Sequence, residues 1–278
     1  MDMNTNGNVY TVIYSAVIVV LVAAILAFAA ISLKPRQDAN IKAETISQML
    51  AAAQFFTKEE LEAMGNDKVL VEYANKIDKA FLIDANGDSL CALGTDANNI
   101  EIADGLKAQN KLIKKGRKDL QLPVYIFNKD GKKISVVPVY GAGLWGPVWG
   151  YLAFDEDMKT ILGAYFDHDS ETPGLGAKIK DDPEFRAAFI GKSADFSADQ
   201  IFSIVKGGAP EGKDNAIDAI TGATMTSDGL GEAIDTWLKS YKPYFAKKGA
   251  AAAMTVVAPA DSLDANGAQK VPNETVEE

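Results

Sequence analysis

Residues Asp218 to Thr226 read D-A-I-T-G-A-T-M-T, placing the hydroxyls of Thr221, Thr224 and Thr226 around a tight Gly222-Ala223 step. The segment that follows carries Leu230, Ile234, Trp237, Leu238 and Tyr241, an i, i+4, i+7 apolar stripe that predicts a helix. Ser227-Asp228 supplies an N-cap and an acidic first turn for it. Thr226 then stands at the positive end of the helix, where free N–H groups and the dipole stabilise a phosphate dianion or diester. A capped surface helix without any ligand fits the same residues.

Two further strings could close a site. Glu171-Thr172-Pro173-Gly174-Leu175-Gly176-Ala177 is a rigid loop, with Pro173 fixing one dihedral and the glycines letting backbone approach a flat ligand. A plain turn is the competing reading. Gly141-Ala142-Gly143-Leu144-Trp145-Gly146 satisfies G-x-G-x-x-G, but Pro147 to Leu152 continues as strand where a dinucleotide fingerprint must open a helix. Gly207 to Lys213 matches G-x-x-x-x-G-K, yet Asp214 replaces the Ser or Thr that a P-loop needs for magnesium. Neither is a nucleotide site.

The elements that must position these strings are read from periodicity and turns. Asn40 to Gly65 predicts a helix, with Ile46, Met49, Leu50 and Ala53 on one face. Strands at 80–83 and 89–93 flank Asn86-Gly87, and strands at 123–127 and 133–140 flank Asp130-Gly131, two hairpin signals. Residues 148–154, 158–166 and 200–205 read as further strands, and 183–190 as a short helix. Hairpin-connected strands with helices at the ends predict an α+β fold with a largely antiparallel sheet and flanking helices. From Gly249 the composition turns to Ala, Pro, Asp, Asn and Glu without periodicity, which predicts a disordered tail at 249–278.

The chain has 278 residues, 47% of them apolar, enough for a real core. Its net charge of −10 leaves no electrostatic footprint for nucleic acid. With one cysteine, Cys91, and one histidine, His168, it cannot build an intrachain disulfide or a Cys/His metal centre by itself. Redox work would need an organic cofactor. Met3 to Leu33 holds no charged residue, and residues 10–33 exceed the ~20 needed to span a bilayer. Ala27-Phe28-Ala29 imitates a signal-peptidase site, but the basic n-region is missing and the apolar run is too long, so an uncleaved anchor is expected. Lys34-Pro35-Arg36-Gln37 marks a break after it. Lys34 and Arg36 follow the helix while Asp2 precedes it, which by charge alone would keep the large domain in the cytoplasm.

As a whole, the D-A-I-T-G-A-T-M-T string resembles the flavinylation motif D-x-x-[S/T]-G-A-[S/T]-x-T of proteins that carry FMN on a threonine phosphoester. The E-T-P-G-L-G and G-x-G-L-W-G strings resemble two more segments of the same FMN-binding domain, in the same order. Together with the L-K-P-x-Q stretch at Leu33 to Gln37, the chain from Tyr10 to Tyr244 resembles the family of C subunits of the Na+-translocating NADH:quinone reductase. A close relative is the G subunit of the ion-translocating ferredoxin:NAD oxidoreductase. The resemblance implies covalent FMN on Thr226, with Asp218 read by the flavin transferase and Thr221, Gly222, Ala223 and Thr224 forming the rest of the motif. It implies that Trp145, Glu171, Thr172, Gly174 and Leu175 line the flavin. It implies a single-pass bacterial inner-membrane subunit with a periplasmic domain, other reductase subunits as partners, and an electron relay that does not oxidise NADH alone. Its domains would be a short segment at 1–9, the membrane helix at 10–33, a membrane-proximal α/β region at 34–122 and the FMN-binding domain at 123–248. A membrane-tethered extracytoplasmic flavin reductase module, without a pump, is the alternative of a different class.

Overall fold

In a computed structural model the described residues are 8–257; the first residues and the part of the expected tail beyond residue 257 lie outside them. Helix α1 (Asn8–Ala52) runs without interruption through Pro35. The sequence suggests a break there, because proline lacks the N–H that would bond the carbonyl four residues earlier. That carbonyl, on Ile31, lies at the end of the apolar run, where water or lipid headgroups can bond it. The apolar residues up to Leu33 are exposed, and the helix is long and apolar enough to cross a membrane. From Ala43 onward its face enters the domain, burying Ala43, Ile46, Met49 and Leu50.

The expected helix at 40–65 therefore divides, with Gln54 at φ 57 marking the turn after α1. Helix α2 (Lys58–Met64) starts from a capping box between Thr57 and Glu60. Helix α3 (Asn66–Lys76) follows directly and adds Val69 and Tyr73 to the layer begun by α1.

A six-stranded antiparallel sheet comes next: β1 (Ile77–Ile83), β2 (Ser89–Ala92), β3 (Leu122–Lys129), β4 (Lys132–Ala142), β5 (Pro147–Phe154) and β6 (Ile161–His168), in the order β2-β1-β3-β4-β5-β6. Helix α4 (Ala103–Lys114) separates β2 from β3 in sequence, and β3 returns to pair with β1. Side-chain alternation sends Tyr125, Phe127, Val136 and Tyr151 toward α1 and α3, and Val137, Val139, Leu152 and Phe154 toward the other face.

That second face is covered by α7 (Thr224–Val257), reached through α5 (Lys178–Asp181), α6 (Pro183–Ala187) and the short parallel pair β7 (Ser203–Val205) and β8 (Ala216–Asp218). The stripe Leu230, Ile234, Trp237, Leu238 and Tyr241 is wholly buried against the sheet. Each such side chain contributes roughly 1.5–3 kcal/mol of burial. Their polar tips are satisfied: Trp237 Nε1–H donates to Asn110 Oδ1 at 3.1 Å, and the Tyr241 hydroxyl donates to the Pro123 carbonyl at 2.8 Å. Beyond Gly249 the helix continues to Val257, through alanines that favour helix most strongly. The architecture is α+β, an apolar N-terminal helix followed by a largely antiparallel sheet with flanking helices.

Candidate functional site

Strand β8 ends at Asp218, and the chain then turns sharply. Ala223 N–H donates to the Ile220 carbonyl at 3.0 Å with Gly222 at φ +82, a turn whose third residue requires that conformation. Ser227 N–H bonds the Ala223 carbonyl at 3.0 Å, so α7 begins at Thr224. Ser227 is thus inside the first turn and is not the expected N-cap. Its hydroxyl is fully buried and accepts the Ile220 N–H at 3.1 Å, holding the turn onto the helix. The amides of Thr224, Met225 and Thr226 have no partner within the helix.

Thr226 is 1% exposed, and its hydroxyl donates to Glu171 Oε2 at 2.6 Å. Glu171, also buried, is held from two more directions: its Oε1 accepts the Trp145 N–H at 2.9 Å, and its own N–H donates to His168 Nδ1 at 3.2 Å. One carboxylate therefore joins all three strings. Glycine makes the room. A Cβ on Gly143 would stand 2.4 Å from Glu171 Oε1, and one on Gly176 would stand 2.4 Å from Oε2 and 2.6 Å from Thr226 Oγ1.

The glycines of the G-x-G-x-x-G string serve this packing and hold no nucleotide loop open. Gly141 lies against Ala233 of α7, and Gly146 ends the turn between β4 and β5 against Ser170. The other decoy, 207–213, is the β7–β8 connection. There Ala209 N–H donates to Asp218 Oδ1 at 2.7 Å, leaving Asp218 exposed on the surface.

The Thr172 carbonyl closes its own loop by accepting the Leu175 and Ala177 amides, both at 3.1 Å, around Gly174 at φ +74. Leu175 leans over the Gly222 turn, where an added Cβ would meet its Cδ2 at 3.1 Å. Trp145 is 67% exposed and Leu175 43%. Leu144 at 43% and Met225 at 65% are exposed too, and sequence reasoning passed over both. Met225 occupies a variable position of the motif, so its signal lay only in its place opposite the buried stripe of α7. Thr221 is exposed and Thr224 half-buried.

Behind the loop, Asp167 is buried and accepts hydrogen bonds from Gln48 Nε2 at 2.8 Å, Lys180 Nζ at 2.9 Å and the His168 N–H at 2.8 Å. Burial of Lys180 opposes its charge, but the Asp167 hydrogen bond and the charges of Asp167 and Glu44 outweigh this and raise its pKa. This cluster fastens α1 to the segment that carries Glu171.

Exposed apolar side chains around an anion-favouring helix start, with a hydroxyl beneath, fit a ligand that joins a flat apolar ring to a phosphate. FMN is such a ligand. A family described as "FMN-binding domain" matches residues 143–239, which span the Trp145, Glu171 and Thr226 strings. The C subunit of the Na+-translocating NADH-quinone reductase from Vibrio vulnificus strain YJ016 is 31% identical over 235 residues, covering 80% of this chain and 88% of that protein. The crystal structure of the same subunit from Parabacteroides distasonis superposes with a TM-score of 0.63 at 32% identity, covering 77% of this chain and 96% of that one. The Shewanella oneidensis protein gives 0.59 at 26% identity, with 76% and 99% covered. Sequence, architecture and the residues gathered at the start of α7 agree, and the chain belongs to the family of C subunits of the Na+-translocating NADH-quinone reductase.

Proposed function

We propose that this chain carries FMN as a phosphoester on Thr226 and passes electrons within a membrane complex that couples NADH oxidation and quinone reduction to Na+ export. The observation that carries the attachment site is the contrast between two neighbouring hydroxyls. Ser227 faces the core and is committed to the Ile220 amide, whereas Thr226 faces the carboxylate of Glu171 among the exposed apolar residues. In this reading residues 123–248 form the FMN-binding unit, and 34–122 join it to the membrane helix.

Bound FMN supplies reversible electron transfer. The chain's own residues set the conditions for it. The amides at the start of α7, which no helical carbonyl engages, balance the phosphate charge. Trp145, Leu175, Leu144 and Met225 exclude water from the ring and disfavour its anionic reduced form, which tunes the potential. The ester keeps the cofactor from being lost outside the cytoplasm. Asp218, the first residue of the motif, is exposed and open to the flavin transferase, and the remaining reductase subunits deliver and remove the electrons. The domain faces the periplasm, since such a transferase works there.

Peptide mass spectrometry of the mature protein tests the assignment. FMN mass is expected on the peptide containing Thr226, with none after Thr226→Val. Flavin on Thr224 or Ser227 of the unmutated chain would overturn it.

A further inference from the structure

We propose that Glu171 is the base that takes the Thr226 proton when the flavin is attached. This rests on the reading of Thr226 as the attachment site. The two groups already stand in the relation that a nucleophilic hydroxyl and its base require, at 2.6 Å and buried together. Glu171 pairs with no lysine or arginine among the described residues. A carboxylate buried without a cation is unfavourable as architecture alone. Its orientation is nevertheless fixed from outside the Thr172–Leu175 segment, by the Trp145 amide and His168. The exposed residues Thr172 to Leu175 can therefore part from the Gly222 turn to admit the donor while Glu171 stays beside Thr226.

The donor is a flavin adenine dinucleotide bound by the transferase. Thr226 Oγ1 attacks the phosphorus next to the flavin half. The Oγ1–P bond forms, the P–O bond to the adenylate half breaks, and AMP leaves with the electron pair. The proton passes to Glu171 Oε2. The product then holds a neutral carboxyl group beside a phosphodiester in place of two anions in contact, whose repulsion at such range and low dielectric would be severe. That carboxyl can donate its new O–H to a phosphodiester oxygen.

The test uses the full, detergent-solubilised chain, unmodified at the start, with flavin transferase and FAD, followed by intact mass and in-gel flavin fluorescence. Glu171→Gln keeps an acceptor for the Trp145 amide but cannot take a proton. Its rate of attachment is expected to fall by about 10² to 10⁴-fold, the range of general-base catalysis, and to climb about tenfold per pH unit as hydroxide replaces the carboxylate. Glu171→Asp, which withdraws the carboxylate by one methylene, should fall between the two. Wild-type rates in a normally melting Glu171→Gln chain would overturn the proposal while leaving Thr226 as the site. Absence of flavin from Thr226 in the wild type would instead defeat the reading beneath it. If Glu171→Gln fails to fold, Glu171→Asp decides: attachment slower than wild type in a normally melting chain supports the proposal, and the wild-type rate overturns it.

Discussion

Trp145 and Leu175 are 67% and 43% exposed, so neither owes its place to the core. Trp145→Ala and Leu175→Ala are therefore expected to change stability by only about 0.5 kcal/mol or less, as surface substitutions do. Both should retain covalent flavin and shift its midpoint potential, measured by redox titration of the folded variants. Unchanged potentials would rule out ring contact. At this scale the turn at Gly222 and the helix after it were legible in the string from Asp218 to Thr226, because their signals are local. The bond between Glu171 and Thr226 spans 55 residues, and no spacing rule reaches that far. Ser227 was misjudged for a related reason. Serine and threonine both favour N-caps, and the Gly222 turn, by presenting the Ala223 carbonyl to Ser227 N–H, started the helix at Thr224 instead.

Among the elements, the join between α1 and β6 depends on Lys180, which is a quarter exposed and bridges Asp167 and Glu44. Lys180→Met leaves the buried Asp167 carboxylate without its cation and should cost about 1–3 kcal/mol in urea unfolding at pH 7, toward the lower end because solvent screens the pair. Because folding raises the lysine pKa, its contribution is complete below the ordinary lysine value of ~10.4 and is lost as pH climbs through the raised value. Wild type and variant should converge in strong alkali; a gap of constant size would show that packing alone was lost. The Asn86-Gly87 and Asp130-Gly131 turns made two hairpins readable. Helix α4 was passed over although Leu106 and Ile113 recur at i, i+7 and Ala103, Leu112 and Ile113 pack against the core; only Leu106 is fully buried, and Gly105 in the first turn weakens the helix propensity.

For the molecule as a whole, the periplasmic orientation is open to a direct assay. Alkaline phosphatase fused after Glu278 should be active, and a fluorescent protein that matures only in the cytoplasm should stay dark in the same position. Fluorescence without phosphatase activity would reverse the topology. The unbroken course of α1 bears on what such a domain can do. About ten residues separate Leu33, the end of the apolar run, from Ala43, the first residue buried in the domain, a rise of roughly 15 Å at 1.5 Å per residue. That stretch is a strut and not a leash. Electron tunnelling falls exponentially with gap, so a carrier on a floppy linker would deliver at rates smeared over every height it visits. On the proposed function, a carrier mounted on this strut would keep one stand-off from the bilayer and one bearing about its axis, where membrane partners could be built to meet it.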